Sequence, residues 1–279
     1  MSLEALIGRT YGPVSARITA DRVAKFVDVT GDDPERWRAA APPGYAAALL
    51  FAVAPSFIQS PEVGENTRVL VHTDQRFVWH RPLTIDSAVV VEAVVGKVRS
   101  RGGISFVGFE VVTSSDGEPL VSSWSTFLMG SRPATEPGPD QREPEVTAGS
   151  IPADRGTVTE RGASRLDLVR YAAASGDFNP IHFDHQAARA AGLDGIVVHG
   201  LLMASWLIQA AAAGGMRTDP IADLKVRFRA PLAPGEVARI EAVPGPTTAD
   251  GITPVTLALR RGQTDLVTAT AQVRGESAT

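Results

Sequence analysis

Residues 175–182 read Ser-Gly-Asp-Phe-Asn-Pro-Ile-His, which puts Asp177 and His182 five positions apart with Asn179-Pro180 between them. A carboxyl and an imidazole in one short segment are the side chains that general acid–base chemistry uses, because histidine titrates near neutral pH and exchanges protons with water in either direction. A helical pattern precedes them, and Gly176 can close it in a left-handed conformation. Both side chains therefore belong to a turn, where they can face a cleft. His199-Gly200 follows 17 residues after His182 and opens a long apolar helix. The first N–H groups of a helix have no intrahelical acceptor and sit at its positive end, so Gly200 offers an amide to an incoming oxygen. The chain has no cysteine, which removes thiol nucleophiles, Cys-ligated zinc and disulfides together. Catalysis must come from Asp, Glu, His, Tyr or Ser.

Composition bounds what surrounds these residues. With 279 residues, 44% of them apolar, the chain is long for one compact unit and can fill two cores, so two domains are expected. The net charge is −4, and no run of Lys/Arg makes an electrostatic footprint for nucleic acid or an anionic membrane. No apolar stretch reaches the roughly 20 residues that span a bilayer, and MSLEALIGRT lacks the basic start and apolar core of a signal peptide. A cytoplasmic location is the expectation.

The chain divides near its middle. Residues 131–155 contain five prolines and almost no aliphatic periodicity, the composition of an extended linker. On either side, 1–130 and 156–279 repeat one order: a helical segment, an apolar helix, then strands. The apolar helices are PPGYAAALLFAVAPSFI and HGLLMASWLIQAAAAGG, and Phe77 to Pro82 resembles Arg227 to Pro231, each an alternating run ended by proline. Ser115-Asp116-Gly117 and Arg261-Gly262 are hairpin turns by composition. Pro55 is expected to kink or end the first apolar helix. A helix apolar on nearly every face must be buried on nearly every side, and a curved antiparallel sheet wrapped around it provides that burial. The predicted class is α+β.

This arrangement, with Ser-Gly-Asp-x-Asn-Pro-x-His and the later His-Gly, resembles the hotdog fold of the MaoC-like dehydratases and (R)-specific enoyl-CoA hydratases in their double-hotdog form. The resemblance covers essentially the whole chain. It implies that Asp177 and His182 form the catalytic pair, that Asn179 holds the turn, and that the Gly200 amide serves as the oxyanion donor. The implied reaction interconverts a trans-2-enoyl thioester and a (3R)-3-hydroxyacyl thioester. Its needs are a base for water, an acid for C2 and a donor for the thioester oxygen; no metal or redox cofactor is among them. The partner would be an acyl-CoA or an acyl carrier protein thioester, with coenzyme A preferred. A 3-hydroxyacyl-acyl carrier protein dehydratase, a non-catalytic acyl-thioester-binding subunit and a hotdog thioesterase are the competing readings.

The first repeat reads Thr-Gly-Asp-Asp-Pro-Glu-Arg-Trp over residues 30–37 and so places Trp37 where the histidine would stand. It is expected to be catalytically silent, to shape the acyl pocket, and to use Asp32 only as a turn residue. Lys225, Arg227 and Arg229 alternate on a predicted strand, share one face, and are candidate contacts for the carrier's phosphates. His199 is a candidate substrate contact or, on the plainer reading, fixes the helix entrance. His182, Asp184 and His185 form an H-x-D-H cluster that lacks a third spare histidine for a metal, and His72 and His80 read as structural strand residues. Two repeats can satisfy each other's sheet edges, so a monomer and a homodimer both remain open.

Overall fold

The computed structural model describes residues 2–67, 69–130, 157–213, 215 and 217–275; the proline-rich segment read as a linker lies outside them. The first repeat begins with β1 (Thr10–Arg17) and α1 (Ala20–Thr30). Thr19 caps α1 by accepting the Arg22 N–H, and Gly31 ends it at φ +65°. Then come β2 (Ala40–Ala41), α2 (Ala46–Ile58), α3 (Pro61–Asn66), β3 (Val69–Trp79), β4 (Leu83–Thr84), β5 (Ala88–Arg101), β6 (Ile104–Ser115) and β7 (Glu118–Gly130). The second repeat runs β8 (Thr157–Gly162), α4 (Arg165–Ser175), α5 (His185–Ala190), α6 (Gly200–Ala211), β9 (Ile221–Phe228), β10 (Val237–Pro244), β11 (Ile252–Arg261) and β12 (Thr264–Arg274).

Ten strands form one antiparallel sheet in the order β1-β5-β6-β7-β3-β9-β12-β11-β10-β8. Reading outward from the β3–β9 seam, the two halves present corresponding strands in the same sequence, as two copies of one unit related by a pseudo-two-fold axis must. This is a double hotdog, α+β in class. At the seam Gln75 pairs with Val226 and Phe77 with Leu224, and the ion pairs Arg76–Asp223 (2.5 Å) and Arg227–Asp74 (2.8 Å) cross it. Both proposed hairpins exist: Asp116 (φ +54°) and Gly117 (φ +79°) turn β6 into β7, and Gly262 (φ +60°) turns β11 into β12.

The helices fill the concave side. Every residue of α6 from Leu201 to Ile208 is buried, and each large aliphatic side chain so placed contributes about 1.5–3 kcal/mol. That burial fixes α6, and with it the position of its first amide. Its counterpart α2 carries Pro55 inside its last turn and ends at Ile58. The ring removes only one N–H, and Gln59 N–H still bonds to the Pro55 carbonyl, so packing holds the last turn in place. The repeats also meet through their helices: Gln209 donates to the Thr30 carbonyl (3.0 Å) and Arg36 to that of Ala212 (2.9 Å).

One helix delivers the acid–base segment. Ser164 and Asp167 form a capping box at the start of α4, and Gly176 stops it at φ +85°. A Cβ at Gly176 would also lie 3.3 Å from the Cβ of Phe51 in α2. Gly176→Ala is therefore expected to cost about 2 kcal/mol through the left-handed conformation, with the crowding adding to it; urea unfolding measures the loss.

Candidate active site

Asp177, Asn179 and His182 leave α4 on a tight turn braced by local hydrogen bonds. Ser175 Oγ donates to the Tyr171 carbonyl (2.7 Å) and accepts from the Asp177 N–H (3.2 Å). Asn179 N–H donates to Asp177 Oδ1 (3.3 Å), while Asn179 Oδ1 accepts from the Ile181 N–H (3.4 Å). Asn179 Nδ2 reaches across to the Leu70 carbonyl on β3 (3.4 Å), so it ties the turn to the other repeat. Asn179 holds the turn in the way the sequence suggests.

His182 Nδ1 lies 2.8 Å from the Val197 carbonyl. A carbonyl only accepts, so Nδ1 carries the proton and Nε2 holds the lone pair. That Nε2 is 4.0 Å from Asp177 Oδ2. Both residues are buried. Burial pushes the Asp177 carboxyl up and the His182 imidazole down, in each case against the attraction between the two. Desolvation thus favours a neutral acid facing a neutral base.

The pair opens on a cavity of about 750 Å³ lined by both repeats. The second repeat provides the turn, Gly200, Leu201 and Met203; the first provides Phe51, Pro55 and Ile58 from α2 and the Leu70–Thr73 stretch of β3. Gly200 is the first residue of α6, and a Cβ there would sit 3.0 Å from Phe228 Cε1. That ring lies against the helix start and leaves little room for a side chain, and Gly200 is part of the cavity lining.

The other candidates separate. Arg229 lines the cavity, is exposed, and donates to Thr268 Oγ1 (3.0 Å). Lys225 and Arg227 do not line it: both lie on the outer face of β9, and Arg227 is bound to Asp74. The shared strand face runs outward, and of the three only Arg229, just past the strand's end, belongs to the cavity lining. His199 is fully buried and not part of the lining; a direct substrate contact is replaced by one with His182 itself, whose ring it stacks on at 3.7 Å. Asp184 caps α5 by accepting the Gln186 and Ala187 N–H groups, which removes it from the H-x-D-H reading. His185 lies 3.4 Å from an Arg165 nitrogen, and His80 bonds Ser122 Oγ (2.9 Å). Asp177, His182 and His199 do cluster. Yet the two imidazoles are stacked at 24°, so their in-plane lone pairs cannot converge on one ion.

In the first repeat Asp32 accepts the Asp33 N–H (2.8 Å), as a turn residue does. Trp37 is buried with the Arg36 guanidinium 4.7 Å from its ring.

His72, a strand residue as expected, also lies in the cavity wall between Phe127 (4.8 Å) and Phe228 (5.2 Å), and its buried Nε2 has no hydrogen-bond partner among the described residues. The cause is a β-bulge at Thr73. From Gln75 onward the odd-numbered residues of β3 face the core; before the bulge the even ones do, so His72 joins Phe127 on the inner side.

The chain is thus a double-hotdog protein whose second repeat brings a carboxyl, an imidazole and the first residue of a buried helix to one apolar cavity. The MaoC like domain matches residues 146–249, and the dehydratase domain region of the FAS1-like family matches residues 5–123. The chain belongs to the MaoC-like dehydratase family. A UPF0336 protein of Cutibacterium acnes is 30% identical over 132 residues, 46% of this chain and 92% of its own. The 3-hydroxyacyl-thioester dehydratase X of Mycobacterium tuberculosis is 26% identical over 232 residues, 82% and 78% of the two chains. A solved MaoC-like dehydratase superposes with a TM-score of 0.82 at 19% identity, covering 99% of this chain and 100% of that one.

Burial pushes the His72 pKa from 6.5 down to about 4. The unfolded chain takes that proton near 6.5 and the folded one only near 4, so stability present at pH 7 is lost as the pH falls between those values. The shift corresponds to about 3 kcal/mol. Buried His182 and His199, also shifted down, contribute with the same sign. Urea unfolding at pH 7 and pH 4.5 should show a marked fall in stability, and His72→Phe should flatten it; an unchanged slope would place His72 in water.

Proposed function

We propose that this protein is a hydro-lyase interconverting a trans-2-enoyl thioester and a (3R)-3-hydroxyacyl thioester, with coenzyme A as the carrier. The observation that carries the reading is the buried Asp177–His182 pair, 4.0 Å apart, on an apolar cavity that also receives the start of α6. A gap of that width leaves room for one water oxygen within about 2.8 Å of each group.

In the hydration direction His182 Nε2 takes a proton from that water as its oxygen bonds to C3. The electrons of the C2–C3 double bond move toward the thioester oxygen, where the Gly200 N–H meets the developing charge; such a donor contributes about 3–4 kcal/mol in other enzymes. Asp177, whose hold on a proton burial strengthens, delivers a proton from its acid form to C2. Transfer of the imidazolium proton to the carboxylate restores the starting state, and the reverse sequence is dehydration. The apolar wall from the first repeat receives the acyl chain, and Arg229 at the opening meets the carrier's phosphates. All these steps run on the chain's own residues.

A trans-2-enoyl-CoA panel, followed by loss of the conjugated thioester absorbance, tests the reading: hydration to a (3R) product is expected. Asp177→Asn and His182→Ala should each lower kcat at least a hundredfold with the circular dichroism spectrum retained, and Asp32→Asn should stay within twofold of wild type. Wild-type-like turnover in either of the first two, or a (3S) product, overturns the assignment.

A further inference from the structure

His199 sits behind the site. It occupies the N-cap of α6, and its own carbonyl accepts the Leu202 and Met203 N–H groups (both 3.1 Å), so it moves with that helix. Three contacts leave its ring no freedom. Its Nε2 lies 3.2 Å from the Asp177 carbonyl, which can only accept, so Nε2 bears the proton. One face covers the His182 ring at 3.7 Å. Tyr171 of α4 packs against it at 4.9 Å.

We propose that His199 is the positioning residue of the acid–base pair: its ring is the platform on which His182 lies, and its Nε2–H holds the backbone of Asp177, so one side chain sets the gap between carboxyl and imidazole. His182 has one other tether, from Nδ1 to the Val197 carbonyl, and rotation about a single hydrogen bond would swing Nε2 away from Asp177. The stacked ring blocks that rotation. Because Val197, His199 and Gly200 are neighbours at the entrance of α6, the imidazole, the carboxyl-bearing turn and the oxyanion amide share one rigid reference.

The platform must also stay neutral. The titratable groups packed against it are Asp177 and His182 from the turn and Tyr171 from α4. Its buried Nδ1 has no partner among the described residues, so a proton there would place a second cation against His182 in a dry site. Burial and the neighbouring imidazole both hold the His199 pKa well down.

The inference rests on the hydro-lyase reading for its kinetic part only. In the wild-type protein labelled with ¹⁵N, long-range imidazole correlations report each tautomer directly, with His199 assigned by the signal lost in His199→Gln. The expected result is a neutral Nε2–H ring for His199, unchanged from pH 5.5 to 8.5, beside an Nδ1–H ring for His182. An Nδ1–H His199, or one that titrates in that range, overturns the proposal. For kinetics, His199→Phe keeps the stacking face and loses the donor, whereas His199→Gln keeps a donor and loses the face. Each folded variant should lose kcat 10- to 100-fold with KM within threefold, and the pH profile should move by at least half a unit. Two folded variants with kcat within twofold and an unmoved profile would show that His199 only supports the fold. A wild-type chain that hydrates no enoyl thioester would sink the hydro-lyase reading instead, while the tautomer measurement would still decide the placement of His199.

Discussion

Asp177 and His182 face each other across 4.0 Å in a place where neither is well hydrated, and this shared desolvation constrains the rest of the structure. Burial opposes the charge on each of them, raising the carboxyl pKa and lowering that of the imidazole, and the neutral forms are the ones suited to accept a proton from water and to give one to carbon. Holding that state demands dry walls and a turn that cannot relax. The α4 capping box, the left-handed Gly176, the Asn179 tie to β3 and the His182–Val197 bond each meet one of those demands.

The two repeats divide the task. The first has Trp37 five residues after Asp32, in the spacing that separates His182 from Asp177, and Trp37 is packed in the core. That repeat contributes wall: α2 offers Phe51, Pro55 and Ile58, and β3 offers Leu70 and His72. Antiparallel pairing of β3 with β9 brings the wall beside the reacting groups. The same seam places His72 against Phe228, which in turn lies over Gly200, so a strand from the first repeat buttresses the start of α6.

Much of this is legible in the sequence where local chemistry decides the structure. Gly176, the Asn-Pro turn and the apolar run beginning at Gly200 state their conformations directly, because a left-handed stop, a fixed φ and an all-apolar helix have few alternatives. The duplication is legible for the same reason, as the order of elements repeats. Features set by long-range packing were hidden. One unpaired residue at Thr73 reverses which side chains of β3 face inward, and no period-2 reading of His72 survives that shift. The outward direction of Lys225 and Arg227, and the stacking of His199 on a residue 17 positions earlier, depend on where the strand and helix dock.

The most direct measurement is a double-mutant cycle on the reacting pair, comparing kcat/KM for Asp177→Asn, His182→Ala and the variant carrying both changes. If the carboxyl and the imidazole serve one water and one substrate, the second substitution has almost nothing left to remove, and the double variant should be no slower than the worse single one within about threefold. Losses that multiply would mean the two groups act independently, and the account of one desolvated acid–base unit would be wrong.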